Sequence, residues 1–293
     1  MPPLSALLEA TFDPVALVLT LVGAACYGAG IRRVRRSGGR WPGRRTAAFL
    51  LLGLGSYLVV SFGCLGALST GLRWAFTLRV SLLLLAVPAL LALGRPVDLA
   101  RAALGDRGRA RLDALLASKL MRWLGTAAIA PAVPLLLFGL LLTPVAGVTR
   151  TSTVGEWIVS ALVPLVGLLV AVALVEDQAN RSGAFFTAEF LIGFVELVVD
   201  AIPGILMRLS AGVLDGAPHV LAAAAWYPSP LRDQQLAGDL LWFIAECGDI
   251  PALVLLFVRW QRSDRREARS FDDLTDEEVD ALTAQHLGRR GGE

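Results

Sequence analysis

The 293-residue sequence is more hydrophobic than that of an ordinary soluble domain. Hydrophobic residues make up 55% of it before the 29 glycines are counted, whereas soluble domains reach about 45–50% with glycine included. This composition excludes a disordered chain and a soluble enzyme, and three cysteines are too few for a disulfide scaffold. The 27 basic and 25 acidic residues nearly cancel, so no nucleic-acid partner is predicted.

Apolar runs of about 20 residues, the length that a helix needs to cross the hydrocarbon core, recur along the chain. They do not alternate with a period of two, so they predict helices rather than β-strands. The seven predicted spans are 14–31, 46–68, 74–94, 123–143, 154–175, 184–206 and 236–258. The fold class is therefore an all-α membrane protein, with its membrane domain at residues 1–260.

The distribution of arginine and lysine predicts the orientation of these spans. Residues 1–13 contain neither, and seven arginines follow the first run, which is a stop-transfer pattern rather than a signal peptide. With the amino terminus outside, the inside segments contain 22 basic residues and the outside segments contain 4. The positive-inside rule then predicts an external amino terminus and a cytoplasmic carboxyl terminus.

Two segments outside the spans have their own patterns. Residues 261–293 are a predicted cytoplasmic tail, in which Thr275 and Glu278 form a capping box before a short amphipathic helix at about 275–287. Residues 207–235 form the longest external loop, and the pair Trp226-Tyr227 predicts that it lies along the membrane interface.

Ionisable side chains fall inside the predicted spans, where a charge is costly unless it faces protein or water and has a partner. The cluster comprises Arg79, Glu189, Glu196, Asp200, Asp239, Glu246 and Asp249. Helical spacing gives spans six and seven one acidic stripe each.

The depths of these charges suggest how they pair. Our hypothesis is that spans three, six and seven converge, that Arg79 neutralises Asp200 or Asp239, and that Glu196 faces Glu246 with one proton held between them. Such a cluster is either a structural set of ion pairs and hydrogen bonds or a site for a cation or proton.

Catalytic motifs are missing from the sequence. It has no HExxH motif, no Walker A motif and no GxGxxG motif, and its two histidines are His219 in the external loop and His286 in the tail. We therefore predict no catalytic residue and no enzymatic activity. His219 is either a solvated loop residue or a metal ligand.

The most specific motif lies at the start of span seven. It consists of Asp233, Gln234, Gln235, Gly238 and Trp242, followed by Glu246 and by Trp260 at the exit of the span. This pattern resembles the last span of the CtaG-like cytochrome c oxidase assembly proteins of the bacterial cell (inner) membrane. Weaker similarities are Tyr27 with Trp41-Pro42 and Arg44-Arg45, the stretch from Leu90 to Pro96, and the seven-span layout; the resemblance covers about residues 14–285.

The resemblance implies an accessory or assembly factor for the respiratory cytochrome c oxidase, linked to maturation of its copper centre at the outer membrane face. Its partners would be oxidase or supercomplex subunits within the lipid bilayer. The family's H-x-x-x-H pair would fall at Phe76 and Val80, and Glu156 and Asp200 lie near two other positions where histidine is expected. The soft donors available to copper on the external side are Cys64, Met207 and His219.

Two other classes of function stay open at this point. One is a structural or interaction subunit of a respiratory membrane complex that does not use a metal. The other is a proton- or cation-coupled carrier that uses the acidic stripes of spans six and seven.

Overall fold

The computed structural model describes residues 3–126, 129, 132–178, 199–216, 226–247 and 261. These residues form helices and their connections, and the described part of the chain contains no strand. The helices are α1 (Leu4–Leu7), α2 (Pro14–Arg36), α3 (Gly43–Leu68), α4 (Arg73–Leu93), α5 (Pro96–Ala103), α6 (Asp106–Leu116), α7 (Lys119–Leu124), α8 (Ala132–Leu140), α9 (Pro144–Thr151), α10 (Thr153–Gln178), α11 (199–209) and α12 (230–247).

Four of the described helices are long and apolar enough to cross a membrane. They are α2, α3, α4 and the part of α10 at Thr153–Ala173, and they coincide with the predicted spans 14–31, 46–68, 74–94 and 154–175. The pair α8 and α9 would make a fifth span if the two helices are counted as one. The described residues therefore confirm an all-helical fold with four or five candidate spans.

Local sequence signals explain where α2 begins and ends. The Asp13 side chain accepts hydrogen bonds from the backbone N–H groups of Val15 and Ala16, and Pro14 occupies the first helical position. The helix continues to Arg36, five residues beyond the predicted end. Three arginines occupy its last turn, where a positive charge interacts favourably with the helix dipole.

The predicted fourth span, 123–143, differs most from the structure. Its beginning falls within α7, and its described remainder is α8, which bends by 77° into α9. The bend is at Thr143, which is extended because it precedes Pro144, and Pro144 then starts α9.

Helix α4 lies at the centre of the described bundle, between α3 and α10. Its residues Phe76, Val80, Leu83 and Val87 are buried in the main apolar core. Both α3 and α4 contain a π-helical segment, at Ala48–Leu54 and Leu82–Ala86. The second segment precedes Pro88, which has no backbone N–H to donate.

The last two predicted spans, 184–206 and 236–258, are described in part, as α11 and α12. Helix α12 begins at residue 230, inside the predicted external loop, because Ser229 accepts hydrogen bonds at its start and Pro230 begins it. Residues 179–198, the rest of span seven and the predicted tail helix at 275–287 lie outside the described residues.

Candidate functional site

Two buried arginines organise one end of the bundle, which we call the Arg73 end. Here α2, α4, α10 and α12 begin and α3, α8 and α11 finish, as the contacts below establish. The opposite end, where α2 and α4 finish and α3 begins, is called the Gly94 end.

The first arginine forms what we call the Arg79 network, which joins α2, α3, α4 and α10. The Arg79 guanidinium donates to Asp13 Oδ2 at 3.1 Å, to Glu156 Oε1 at 3.2 Å and to Ser160 Oγ at 2.9 Å. Ser160 Oγ also donates to Asp13 Oδ2, and Tyr57 Oη donates to the Ser160 carbonyl at 2.7 Å. The side chains of Arg79 and Asp13 are 1% and 2% exposed and that of Glu156 is 31% exposed. The network is therefore buried around Arg79 and Asp13 and partly exposed at Glu156.

This geometry corrects the predicted pairing of Arg79 with Asp200 or Asp239. Asp239 Oδ2 instead accepts from Arg208 at 3.3 Å, and Asp200 is buried on α11. The prediction considered only charges inside the predicted spans, and Asp13 lies just before the first of them. In the structure its Oδ1 caps α2 while its Oδ2 bonds Arg79.

The second arginine forms the Arg73 network, which comprises Arg73, Arg150, Asp215, Asp233 and Gln234. The Arg73 guanidinium donates to Gln234 Oε1 and, at 2.8 Å, to the Leu141 carbonyl, and its Nε lies 3.9 Å from Asp215 Oδ2. Arg150 donates to the same Asp215 oxygen at 3.0 Å. The two arginines and two aspartates balance in formal charge. Burying them together therefore costs less free energy than burying one of them without its partners.

Asp233 caps α4 from a different helix. Its Oδ2 accepts from the Arg73 backbone N–H at 2.7 Å and its Oδ1 accepts from the Trp74 backbone N–H at 3.0 Å. These are unpaired donors of a helix start, where the dipole also favours a negative charge. Burial raises the pKa of the Asp233 carboxyl, while these two hydrogen bonds and then Arg150 and Arg73 act to lower it.

Gln234 is fully buried beside this cap, and both ends of its amide are hydrogen-bonded. Its Oε1 accepts from Arg73 and from the Leu214 backbone N–H at 2.8 Å. Its Nε2 donates to the carbonyls of Met207 at 3.2 Å and Gly212 at 3.0 Å. One side chain thereby fixes α12, α4 and the segment after α11 relative to one another.

Gly238 and Trp242 lie where α12 crosses α11. A Cβ atom at Gly238 would lie 2.5 Å from the Gly204 carbonyl oxygen and 2.9 Å from Met207 Cβ, so only glycine permits this approach. The Trp242 indole N–H donates to Glu246 Oε1 at 2.9 Å. Gln235, by contrast, is half-buried and accepts from Arg232 at 3.3 Å.

The weaker motif stretches meet at the Gly94 end, although they are far apart in sequence. Tyr27 Oη donates to the Gly94 carbonyl at 2.8 Å and accepts from Trp41 Nε1 at 3.0 Å, and its ring stacks on Phe49 at 4.0 Å. The Arg45 guanidinium lies 5.1 Å from the centre of the Trp41 ring. These contacts fix the connection between α2 and α3 against the end of α4.

An aromatic pair covers the connection between α3 and α4 at the Arg73 end. Trp226 and Tyr227 meet edge to face at 4.5 Å and pack against Leu68 and Leu72. Burial, and then the charges of Glu9 and Asp233, raise the pKa of the Tyr227 hydroxyl. This end of the molecule therefore presents a partly apolar surface above a buried polar layer.

The predicted metal donors are not brought together in the described residues. Cys64 is half-buried near the end of α3, and Met207 is fully buried against Gly238. The described part of the chain contains no group of three or more His, Cys, Asp or Glu side chains that could hold a metal ion. The candidates Glu189, Glu196, His219, Asp249 and Trp260 lie outside the described residues.

Sequence reasoning missed four charged residues of the two networks, namely Asp13, Arg73, Arg150 and Asp215. Asp13 and Arg73 directly precede apolar runs and Arg150 and Asp215 lie in connections between them, where a charge is ordinarily solvated. One available signal was Asp13-Pro14, a helix-start pattern directly before an apolar run. A carboxylate placed there has one oxygen left for a second partner.

Comparison with known proteins identifies similar sequences but no similar structure. Residues 25–263 match the family model of the cytochrome c oxidase caa3 assembly factor. Uncharacterized proteins of Mycobacterium bovis and Mycobacterium tuberculosis are each 25% identical over 289 residues, which is 93% of this chain and 43% of the relative. An uncharacterized protein of Mycobacterium leprae is 25% identical over 88% of this chain and 40% of its own length. The chain thus spans less than half of these relatives, and no solved structure matches it.

Proposed function

Because this chain belongs to the cytochrome c oxidase caa3 assembly factor family, we propose that it is a non-catalytic assembly factor for the respiratory cytochrome c oxidase in the bacterial cell membrane. The observation that carries this proposal is the family match over residues 25–263, which includes every residue of the Arg73 network. The step that we assign to it is maturation of the oxidase copper centre at the outer face.

The proposal includes seven spans with the Arg73 end outside. Among the described helices, α2, α4, α10 and α12 begin at this end and α3, α8 and α11 finish at it, so these helices alternate in chain order. The distribution of 22 basic residues inside and 4 outside supports the same orientation. Residues 1–260 are then the membrane domain and 261–293 the cytoplasmic tail.

The chemistry of the two networks favours a role in protein contacts over a role in reaction chemistry. Gln234 uses both acceptor sites and both donors of its amide within the chain. Asp233 and Asp13 likewise use both carboxylate oxygens. These groups are committed to holding the helices, so the surface above them, with Trp226 and Tyr227, is what a partner can contact.

Loss of the gene tests the assigned role directly. In a strain without it, we expect less assembled oxidase in reduced-minus-oxidised spectra, a weaker copper signal by electron paramagnetic resonance, and slower oxygen uptake with reduced cytochrome c. The wild-type gene and a Gly28→Ala control should restore all three, because a Cβ at Gly28 meets nothing within 4 Å. Normal amounts of copper-loaded oxidase in the deletion strain would overturn the proposal.

Affinity purification separates an assembly factor from a permanent subunit. The tagged chain should co-purify with oxidase subunits from cells that are making the enzyme and should be missing from the mature oxidase. Equal amounts of the chain and the mature oxidase would identify a structural subunit instead.

A further inference from the structure

The Gly94 end contains an unusual concentration of arginine. Residues 32–45, from the end of α2 to the start of α3, contain seven arginines and no acidic residue. Residues 95–113, which include α5 and most of α6, contain five arginines and three aspartates. We call these two segments together the arginine face. Neither segment contains a lysine, so the positive charge of the face comes from guanidinium groups alone.

Contacts between the two segments make the arginine face one surface. Arg45 Nη1 of the first segment lies 4.0 Å from Asp98 Oδ2 of the second, and Arg95 Nη1 donates to the same oxygen at 3.3 Å. Leu99 of α5 is 2% exposed and packs on α2, where a Cβ atom at Gly30 would lie 3.1 Å from its side chain. Helix α5 is therefore fixed beside the end of α2.

The acidic residues of the arginine face do not neutralise it. Asp98 is paired with two arginines, and Asp113 accepts from Arg101 Nε at 2.8 Å. Only one other aspartate, Asp106, is present in the two segments. Six arginines of residues 32–45 are exposed, namely Arg32, Arg33, Arg35, Arg36, Arg40 and Arg44.

Acidic residues elsewhere on the same side of the membrane are too few to balance this charge. In the proposed orientation, residues 176–183 and 259–293 also face the cytoplasm, and together they contain eight basic and eleven acidic residues. Their small negative excess does not balance twelve arginines that are matched by three aspartates. This count is independent of where those segments lie, so the arginine face requires an anionic partner from outside the chain.

The arginine face lies at the level of the lipid headgroups. Helix α4 has 21 residues and is about 30 Å long, the thickness of the hydrocarbon core, so Gly94 marks one boundary of the core. Tyr27 Oη bonds the Gly94 carbonyl and Trp41 Nε1, and such aromatic residues are enriched at membrane interfaces. Arg32 follows Tyr27 by five residues, about 8 Å along α2, and therefore lies just outside the core.

We propose that the arginine face binds the phosphate groups of anionic phospholipids in the cytoplasmic leaflet. The planar guanidinium group matches phosphate with two parallel hydrogen bonds, and an anionic leaflet attracts basic segments that directly follow a membrane span. The leaflet rests on the proposed orientation, but the binding does not rest on the oxidase role. Because binding is measured on the purified chain without oxidase, either proposal can fail while the other stands.

Native mass spectrometry of the full chain in detergent tests the proposal, because it resolves bound lipid by mass. Phosphatidylglycerol is titrated against phosphatidylcholine with the same acyl chains, and the bound fractions give apparent Kd values. The first variant combines Arg33→Gln, Arg36→Gln, Arg40→Gln and Arg44→Gln, and its matched control replaces the same four residues with lysine. A second variant, Arg40→Glu with Arg44→Glu, makes the same change in charge without altering α2. Thermal unfolding without lipid checks that each variant is folded.

We expect the wild-type chain to bind phosphatidylglycerol at least about tenfold more tightly than phosphatidylcholine. Each basic residue near an anionic surface increases affinity about fivefold, so both charge-removing variants should weaken phosphatidylglycerol binding by about two orders of magnitude. The lysine control should stay within about threefold of the wild type, because the attraction depends mainly on charge.

Four results would overturn the proposal. The first is equal affinity of the wild type for the two lipids, which is expected if acidic residues 264–280 of the chain already occupy the face. The second is unchanged phosphatidylglycerol binding in folded charge-removing variants. The third is a loss in the lysine control as large as in the glutamine variant. The fourth is displacement of the lipid by an equal concentration of inorganic phosphate, which would identify a site for a soluble anion.

Discussion

Replacing Arg79 with leucine tests whether the buried network determines stability. The substitution keeps apolar volume at a position where the side chain is 1% exposed. It removes three hydrogen bonds, to Asp13, Glu156 and Ser160. Asp13, whose side chain is 2% exposed, then loses its arginine partner.

The magnitude follows from the cost of an uncompensated buried charge. Removing one partner of a buried ion pair costs about 3–5 kcal/mol. The matched control is Arg208→Leu, which removes a pair with a similar distance, 3.3 Å, but with side chains 43% and 44% exposed. An exposed pair contributes about 0–1 kcal/mol. The loss of unfolding free energy should therefore be several-fold larger for Arg79→Leu than for Arg208→Leu.

The free energy of unfolding can be measured by SDS titration in mixed micelles, with the fluorescence of the seven tryptophans as the signal. The pair is isolated by adding Asp13→Asn, because asparagine still caps α2 but carries no charge. We expect Arg79→Leu with Asp13→Asn to be more stable than the sum of the two single losses predicts.

Two results would refute this reasoning. Equal losses for Arg79→Leu and Arg208→Leu would show that burial does not set the cost. Strict additivity of Arg79→Leu and Asp13→Asn would show that the two charges do not interact.

Three further substitutions test other contacts by the same titration. Gln234→Leu should cost about 2–4 kcal/mol, because it leaves several buried groups, including the Arg73 guanidinium, without their partner; a loss below 1 kcal/mol would contradict this role. Gly238→Ala should destabilise the protein by about 1–3 kcal/mol through overpacking, whereas Gly28→Ala should be neutral or slightly stabilising; similar values for both would show that the close helix crossing is unimportant. Tyr27→Phe should lower the free energy of unfolding by about 1–2 kcal/mol, because the ring still stacks on Phe49 while the hydrogen bonds of the hydroxyl are lost. A variant as stable as the wild type would show that these hydrogen bonds do not stabilise the connection.

The sequence was most informative where a single helix decides the outcome. Apolar length alone located α2, α3, α4 and α10, because a helix in hydrocarbon must satisfy its own backbone and needs about 20 apolar residues. It failed at 123–143, where Pro144 starts a new helix at an angle. The length of an apolar run does not tell whether the chain bends within it.

The candidate site was only partly predictable, because partner choice is a property of the whole fold. We expected α4, α11 and α12 to converge, with Arg79 as the residue that joins them. In the structure Arg73 makes those contacts, while Arg79 contacts α2 and α10. Helical periodicity does not say which neighbour a side chain reaches, and an arginine side chain is long enough to reach several neighbours.

The two oxygens of Asp13 have a consequence for the order in which the chain is made. One oxygen caps α2 as soon as that helix forms, but the other waits for Arg79 and Ser160, which are synthesised 66 and 147 positions later. Only 11% of the most apolar part of α2 is buried, so packing holds it weakly in the meantime. During synthesis the Asp13 carboxylate therefore has all its partners only once α10 has been made.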